Sequence, residues 1–168
     1  MTKLIELTEI VLFDWGNTLM VDFPEAQGKM CDWEVVEEVA GAREVLAALS
    51  KQHKLYVATN AADSTEQDII QAFERVGLSQ YLSGYFCKAS LGVSKYDSDF
   101  YPAIITQLGV QAQDVTMIGD TLEKDIYPAL ASGLHAVWLN TEGTVLKSEH
   151  PNIVQVQNLS ELLGKRHG

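Results

Sequence analysis

The sequence predicts an α/β domain with a mostly parallel central sheet, and two observations predict it. Short apolar runs rich in β-formers alternate with helical patterns along the chain, the order that right-handed crossovers turn into a parallel sheet covered on both faces. Polar residues able to do chemistry also follow the apolar runs: Asp14 after the first, Thr59 and Asn60 after the second, Lys95 in the loop after the third, Asp120 after the fourth. In such sheets ligands sit beyond the carboxyl ends of the strands, so these scattered groups are expected to converge.

Taken in order, IVLFDW (10–15) is an apolar run ending on an acid and then on Gly16 and Asn17, which favour a turn. Residues 35–52 place Val39, Ala42, Val45, Leu46 and Leu49 on a helical period, with Gly41 weakening the first half. KLYVATN (54–60) is a second strand. Residues 63–77 open with Ser64 and Gln67 at capping-box spacing and stop at Gly77. YFCKA (85–89) is a weak third strand. Residues 97–109 are helical, with Pro102 in the first turn, where a missing N–H is tolerated. DVTMIGD (114–120) is a strand, 122–133 a helix ending at Gly133, and HAVWLN (135–140) a strand. NIVQV (152–156) and LSELLG (159–164) follow.

At 168 residues the chain suits a single domain, 1–168. No apolar run nears the ~18 residues of a membrane span, and the first residues lack a signal-peptide pattern. Cys31 and Cys87 have no metal-type spacing, and two free thiols fit a reducing, cytoplasmic setting. A formal charge of −11 without a Lys/Arg cluster before the closing GKRH argues against nucleic acid as a partner.

Three acids on one rim, Asp14, Asp120 and Asp125, would repel one another unless a cation intervened. Oxygen-only donors suit a hard ion such as Mg2+. Mg2+ and Lys95 together would balance three carboxylates and admit a phosphate. Asp14 would then attack phosphorus as a carboxylate nucleophile, with Lys95 stabilising the transferring group and Thr59 and Asn60 donating hydrogen bonds to it.

On these residues the chain resembles the haloacid dehalogenase (HAD) superfamily of phosphohydrolases. The family's first motif, D-x-D-G-T-[LV], stands as Asp14-Trp15-Gly16-Asn17-Thr18-Leu19; its second, a Ser or Thr at a strand end, as Thr59; its third, a loop Lys, as Lys95; its fourth, G-D-x(4)-D, as Gly119-Asp120 to Asp125. The resemblance covers roughly residues 9–140. It implies a HAD-like, Rossmann-like three-layer sandwich, Asp14 as nucleophile, and Mg2+ held by Asp14, the carbonyl of Gly16 and Asp120, with Asp125 completing the acidic set.

The departures from the motif matter as much. The second Asp, which in the family protonates the leaving group and then activates water, is Gly16 here. General acid–base groups are worth about 10² to 10⁴ in rate, roughly 3 to 5 kcal/mol of barrier, so turnover is expected to be slow or specialised. Asn17 in place of the usual Gly adds bulk near the site. The alternative is a degenerate member that binds metal and a phosphorylated ligand without efficient turnover. A receiver domain shares the acids, Thr and Lys, but its phosphorylated Asp follows a central strand of the chain order, whereas Asp14 follows the first.

Dehalogenases and the phosphonoacetaldehyde-cleaving branch rely on a helical cap between the first two motifs. Residues 20–40 form too short an insertion for one, so the chain resembles the capless type. Phe23, Met30 and Trp33 of this insertion would form either a small lid or a satellite cluster. Lys29 is expected to be a solvated loop residue, and Trp15 a core residue. An open site would suit a small phosphorylated substrate, and leaves room for a larger one or a partner subunit.

Overall fold

The computed structural model of the chain describes residues 7–61, 63–143 and 153–163. Six strands form one sheet: β1 (Ile10–Phe13), β2 (Lys54–Ala58), β3 (Gly84–Phe86), β4 (Val115–Gly119), β5 (His135–Leu139) and β6 (Val154–Val156). Every pairing is parallel, in the order β3-β2-β1-β4-β5-β6. From β1 the chain winds outward through β2 and β3, then returns to β4 on the other side of β1 and winds outward again. β1 and β4 therefore flank the switch point, where a crevice opens at the carboxyl ends. Asp14 and Asp120 are the first residues past those two strands.

Alternation along the strands builds three layers. Val11 and Phe13 face a core made with α1 (Ala42–Leu49), α2 (Glu66–Arg75) and the turn at Leu159–Leu163, while Ile10 and Leu12 face the opposite core with α4 (Phe100–Leu108) and α5 (Tyr127–Ala131). Both faces of β1 are apolar because both are covered, as buried parallel strands require. Leu12 and Phe13 are fully buried, and each such side chain contributes about 1.5–3 kcal/mol.

The structure moves several expected boundaries. The helix expected over 35–52 begins only at Ala42, because Gly41 adopts φ +86° and turns the chain into the helix. The stretch before it is spent on a bridge between Met20 and Glu38. The capping box of α2 is Thr65 with Asp68, one residue beyond Ser64 and Gln67: Asp68 N–H donates to Thr65 Oγ1 (3.2 Å) and Thr65 N–H to Asp68 Oδ2 (2.9 Å). The strand over 85–89 ends at Phe86, and α3 (Lys88–Leu91) follows. The helix over 122–133 opens with a π turn at Leu122–Ile126 before α5. Residues 152 and 164, the expected limits of the last two segments, lie outside the described residues.

The insertion at 20–40 holds one 3-10 turn, Met30–Asp32, and is strapped to α2. Lys29 pairs with Asp68 at 2.9 Å, so the expected solvated loop residue has a partner. The Arg75 guanidinium donates to the carbonyls of Cys31, Trp33 and Glu34. Met30 is buried in the core, and Phe23 and Trp33 stack loosely at 6.3 Å between ring centroids. Among the described residues no helix is long and apolar enough to cross a membrane.

The position of the cap is testable by urea denaturation. Thr65→Ala is expected to cost about 1 kcal/mol of stability, whereas Gln67→Ala, on the exposed surface, is expected to change it by less than ~0.5 kcal/mol.

Candidate active site

Lys95 organises the crevice. Its side chain is 1% exposed, and its Nζ donates to Asp14 Oδ1 at 2.8 Å and to Asp125 Oδ1 at 2.7 Å. A lysine reaches so deep because its loop is fastened from the second strand: Lys95 N–H donates to Asn60 Oδ1 at 2.9 Å. Asn60 thus spends its carbonyl on placing the lysine. Thr59 Oγ1 accepts the N–H of Ala61 at 3.2 Å, which leaves the hydroxyl proton for an acceptor in the site.

Asp125 arrives by way of the π turn, a distortion that often marks functional positions. Its second oxygen accepts the N–H of Thr121 at 3.1 Å. A Cβ on Gly119 would lie 2.2 Å from Asp125 Oδ2, so only glycine lets this carboxylate reach the lysine. Asp120 is held more loosely: Thr18 Oγ1 donates to it at 3.4 Å, and the same hydroxyl lies 3.5 Å from Asp14 Oδ2. Thr18 is fully buried between the two acids. Trp15, as expected, is core, packed against Phe73 with its indole N–H on Met20 Sδ.

Asp14, Asp120 and Asp125 each offer an oxygen within 4.8 Å of the others. Burial works to raise the Asp14 carboxyl, but the Lys95 ammonium overrides it and holds Asp14 below its ordinary value. Burial also works to lower Lys95, yet Asp14 and Asp125 raise it. Asp120 is pushed up to about 7, first by burial and then by the Asp14 charge. Asp125 is pushed up to about 6 by the same two causes, against the pull of Lys95. Three carboxylates face one ammonium, so the cluster carries an excess of negative charge that a hard divalent cation would neutralise. The donor set fits Mg2+. The N–H groups of Thr18, Leu19 and Met20 all turn to the carbonyl of Trp15, which leaves that of Gly16 outside this turn's hydrogen bonds.

One contact had no signal in the motif. The chain turns back at Asn17, whose φ of +61° lies in the left-handed region that Asn tolerates. Asn17 Oδ1 accepts the N–H of Asp22 at 3.0 Å. An ideal Cβ on Gly16 would lie 3.3 Å from Asp22 Cβ and 3.5 Å from Asp22 Oδ2. The space beside Gly16 therefore faces another carboxylate.

Gly119→Ala is expected to displace Asp125 from Lys95 and cost on the order of 3 kcal/mol, read by thermal or urea unfolding. A second expectation concerns pH. Between 3.8 and about 7 the folded chain binds more protons than the unfolded one at Asp120 and Asp125, so metal-free stability should fall as pH rises through that window. Asp14 works in the opposite sense, but only below 3.8. Urea midpoints in EDTA should therefore be lower at about pH 8 than at about pH 5, and Mg2+ should remove the difference.

A family profile described as haloacid dehalogenase-like hydrolase matches residues 16–133. The N-acylneuraminate-9-phosphatase of Homo sapiens is 34% identical over 124 residues, 70% of this chain and 47% of that protein. The pyrimidine 5'-nucleotidase YjjG of Escherichia coli (strain K12) is 30% identical over 108 residues, 64% of this chain and 47% of that protein. The chain thus spans about half the length of these curated relatives. A crystal structure of an uncharacterized protein from Listeria monocytogenes serotype 4b superposes with a TM-score of 0.79 at 23% identity, covering 91% of this chain and 93% of that one.

Proposed function

The chain belongs to the haloacid dehalogenase-like hydrolases, and within them we propose a capless Mg2+-dependent phosphohydrolase acting through an aspartyl-phosphate on Asp14. The observation that carries this reading is the Asp14 carboxylate held 2.8 Å from a buried Lys95 and beside two further acids. A carboxylate kept ionised at a strand tip is a ready nucleophile. Its Oδ1 is taken by Lys95, so Oδ2 is the oxygen presented to phosphorus.

Asp14, Asp120 and the Gly16 carbonyl, with Asp125 beside them, would hold Mg2+, which when bound would add positive charge beside the phosphoryl oxygens. The chain's own groups do the rest. Lys95 adds charge to the transferring group from a position fixed by Asn60 and Asp125. Thr59 offers its hydroxyl proton, and the Asn60 amide nitrogen a second donor. Water is then the acceptor that releases phosphate and restores Asp14. The names of the curated relatives support a small phosphorylated substrate, of the sugar phosphate or nucleotide kind.

Gly16 is the observation that favours a second reading, a chain that binds metal and a phosphorylated ligand without efficient turnover. Mg2+-dependent release of p-nitrophenol from p-nitrophenyl phosphate separates the two, because this leaving group departs with little protonation. Wild type is expected to turn over, and Asp14→Asn to lose on the order of 10³-fold or more in kcat/KM. A wild type that binds Mg2+ by calorimetry yet releases no p-nitrophenol would instead favour the binding reading.

A further inference from the structure

We propose that Asp22, from the insertion, is the acid and base of this site, standing in for the side chain that Gly16 lacks. The inference rests on the phosphohydrolase reading and deepens it.

Cleaving a phosphate ester leaves an oxygen that needs a proton, and the following attack by water must shed one. The carboxyl and ammonium groups around Asp14 are already engaged: Asp125 holds Lys95 and the Thr121 N–H, Lys95 holds two carboxylates, and Asp120 belongs to the acidic set that takes the cation. Asp22 is exposed, and among the described residues no side chain pairs with its carboxylate. Position 16 follows Asp14 by two residues, in the place where the family's first motif has its second Asp. Around an ideal Cβ on Gly16 the three nearest atoms all belong to Asp22, its Cβ, Oδ2 and Cγ at 3.3, 3.5 and 3.7 Å.

The placement is built rather than accidental. The left-handed Asn17 reverses the chain, and its Oδ1 fixes the Asp22 backbone. Val21 N–H donates to the Glu37 carbonyl at 2.8 Å and Val39 N–H to that of Leu19 at 2.8 Å, so the segment returning over Gly16 is tied on both sides. Leu19 and Met20, just before it, are fully buried. Glycine at 16 is then what makes room for Asp22, since a Cβ there would already press on it.

In the first step an Asp14 oxygen bonds to phosphorus, the bond from phosphorus to the ester oxygen breaks, and that oxygen takes the proton of the Asp22 carboxyl. In the second step water bonds to phosphorus and gives a proton to the Asp22 carboxylate. The bond from phosphorus to Asp14 breaks, releasing hydrogen phosphate and returning both side chains to their starting forms.

The test uses Asp22→Asn, which keeps the backbone hydrogen bond to Asn17, and two esters of similar shape. Phenyl phosphate needs its departing oxygen protonated far more than p-nitrophenyl phosphate does. With Asp22→Asn, kcat/KM for phenyl phosphate is expected to fall about 10²-fold, and for p-nitrophenyl phosphate by less than about 10-fold. The variant should also show a burst of about one p-nitrophenol per active site, as the aspartyl-phosphate waits for a base. Mg2+ affinity by calorimetry and the thermal midpoint should match wild type. Equal losses on both esters, or none, would overturn the acid role, and linear release without a burst would overturn the base role. A wild type inert on both esters would overturn the phosphohydrolase reading itself, and this proposal with it.

Discussion

Everything in the crevice depends on one buried ammonium held between two carboxylates. Removing a lysine from water costs several kcal/mol, and so does removing each acid; only close geometry with the remaining lone pairs satisfied makes the arrangement tolerable. The structure supplies that geometry from four separate places. Asn60 fixes the backbone of Lys95, Thr121 satisfies the far oxygen of Asp125, Gly119 gives Asp125 its space, and the end of β1 delivers Asp14. The π turn belongs to the same solution, since it brings Asp125 inward one residue out of helical phase.

The same cluster separates two kinds of acid by their surroundings. Asp14, against Lys95, stays charged, while Asp120, without a cation of its own, is pushed up to about 7. In the proposed mechanism a nucleophile must be ionised before substrate arrives, whereas a metal ligand can wait for its ion. The buried lysine therefore keeps one acid charged permanently and leaves the second to be ionised by what binds there.

Much of this was legible in the sequence, for physical reasons that also explain the rest. Strands buried on both faces read as unbroken apolar runs, and Asp14 and Asp120 each follow one directly, so these acids, with Lys95 and Asp125 in the segments beyond the strands, could be placed on one rim before any coordinates. Local boundaries were less legible because they depend on distant contacts. Helix α1 starts late because residues before Gly41 are drawn to Met20, and the α2 cap falls on Thr65 although Ser64 offers the same chemistry one residue earlier. Asn60 read as a donor to phosphate through its amide nitrogen, and the further role of its carbonyl, which holds Lys95 35 residues away, had no local signal. Asp22 was illegible in kind: the carboxylate beside Gly16 comes from six positions further along, through a turn whose left-handed residue is Asn rather than the expected Gly. The only trace was Asn17 itself, a residue that both tolerates that conformation and can bind the chain it turns back.

The place of β1 has a consequence for how the protein is made. β1 pairs with β2 on one side and with β4 on the other, Ile10 meeting both Lys54 and Val115. On a ribosome adding about 5–20 residues per second, β4 follows β1 by roughly 5 to 20 s. For that interval a strand buried on both faces of the finished sheet is an open edge, with unpaired backbone groups and apolar faces on offer to any neighbouring chain. Lys95 emerges before Asp125, so the nascent half holds Asp14 with an incompletely paired lysine. Synthesis, rather than the folded state, is where this topology is exposed to aggregation, and a chaperone that shields the first hundred residues would act on the strand that delivers Asp14.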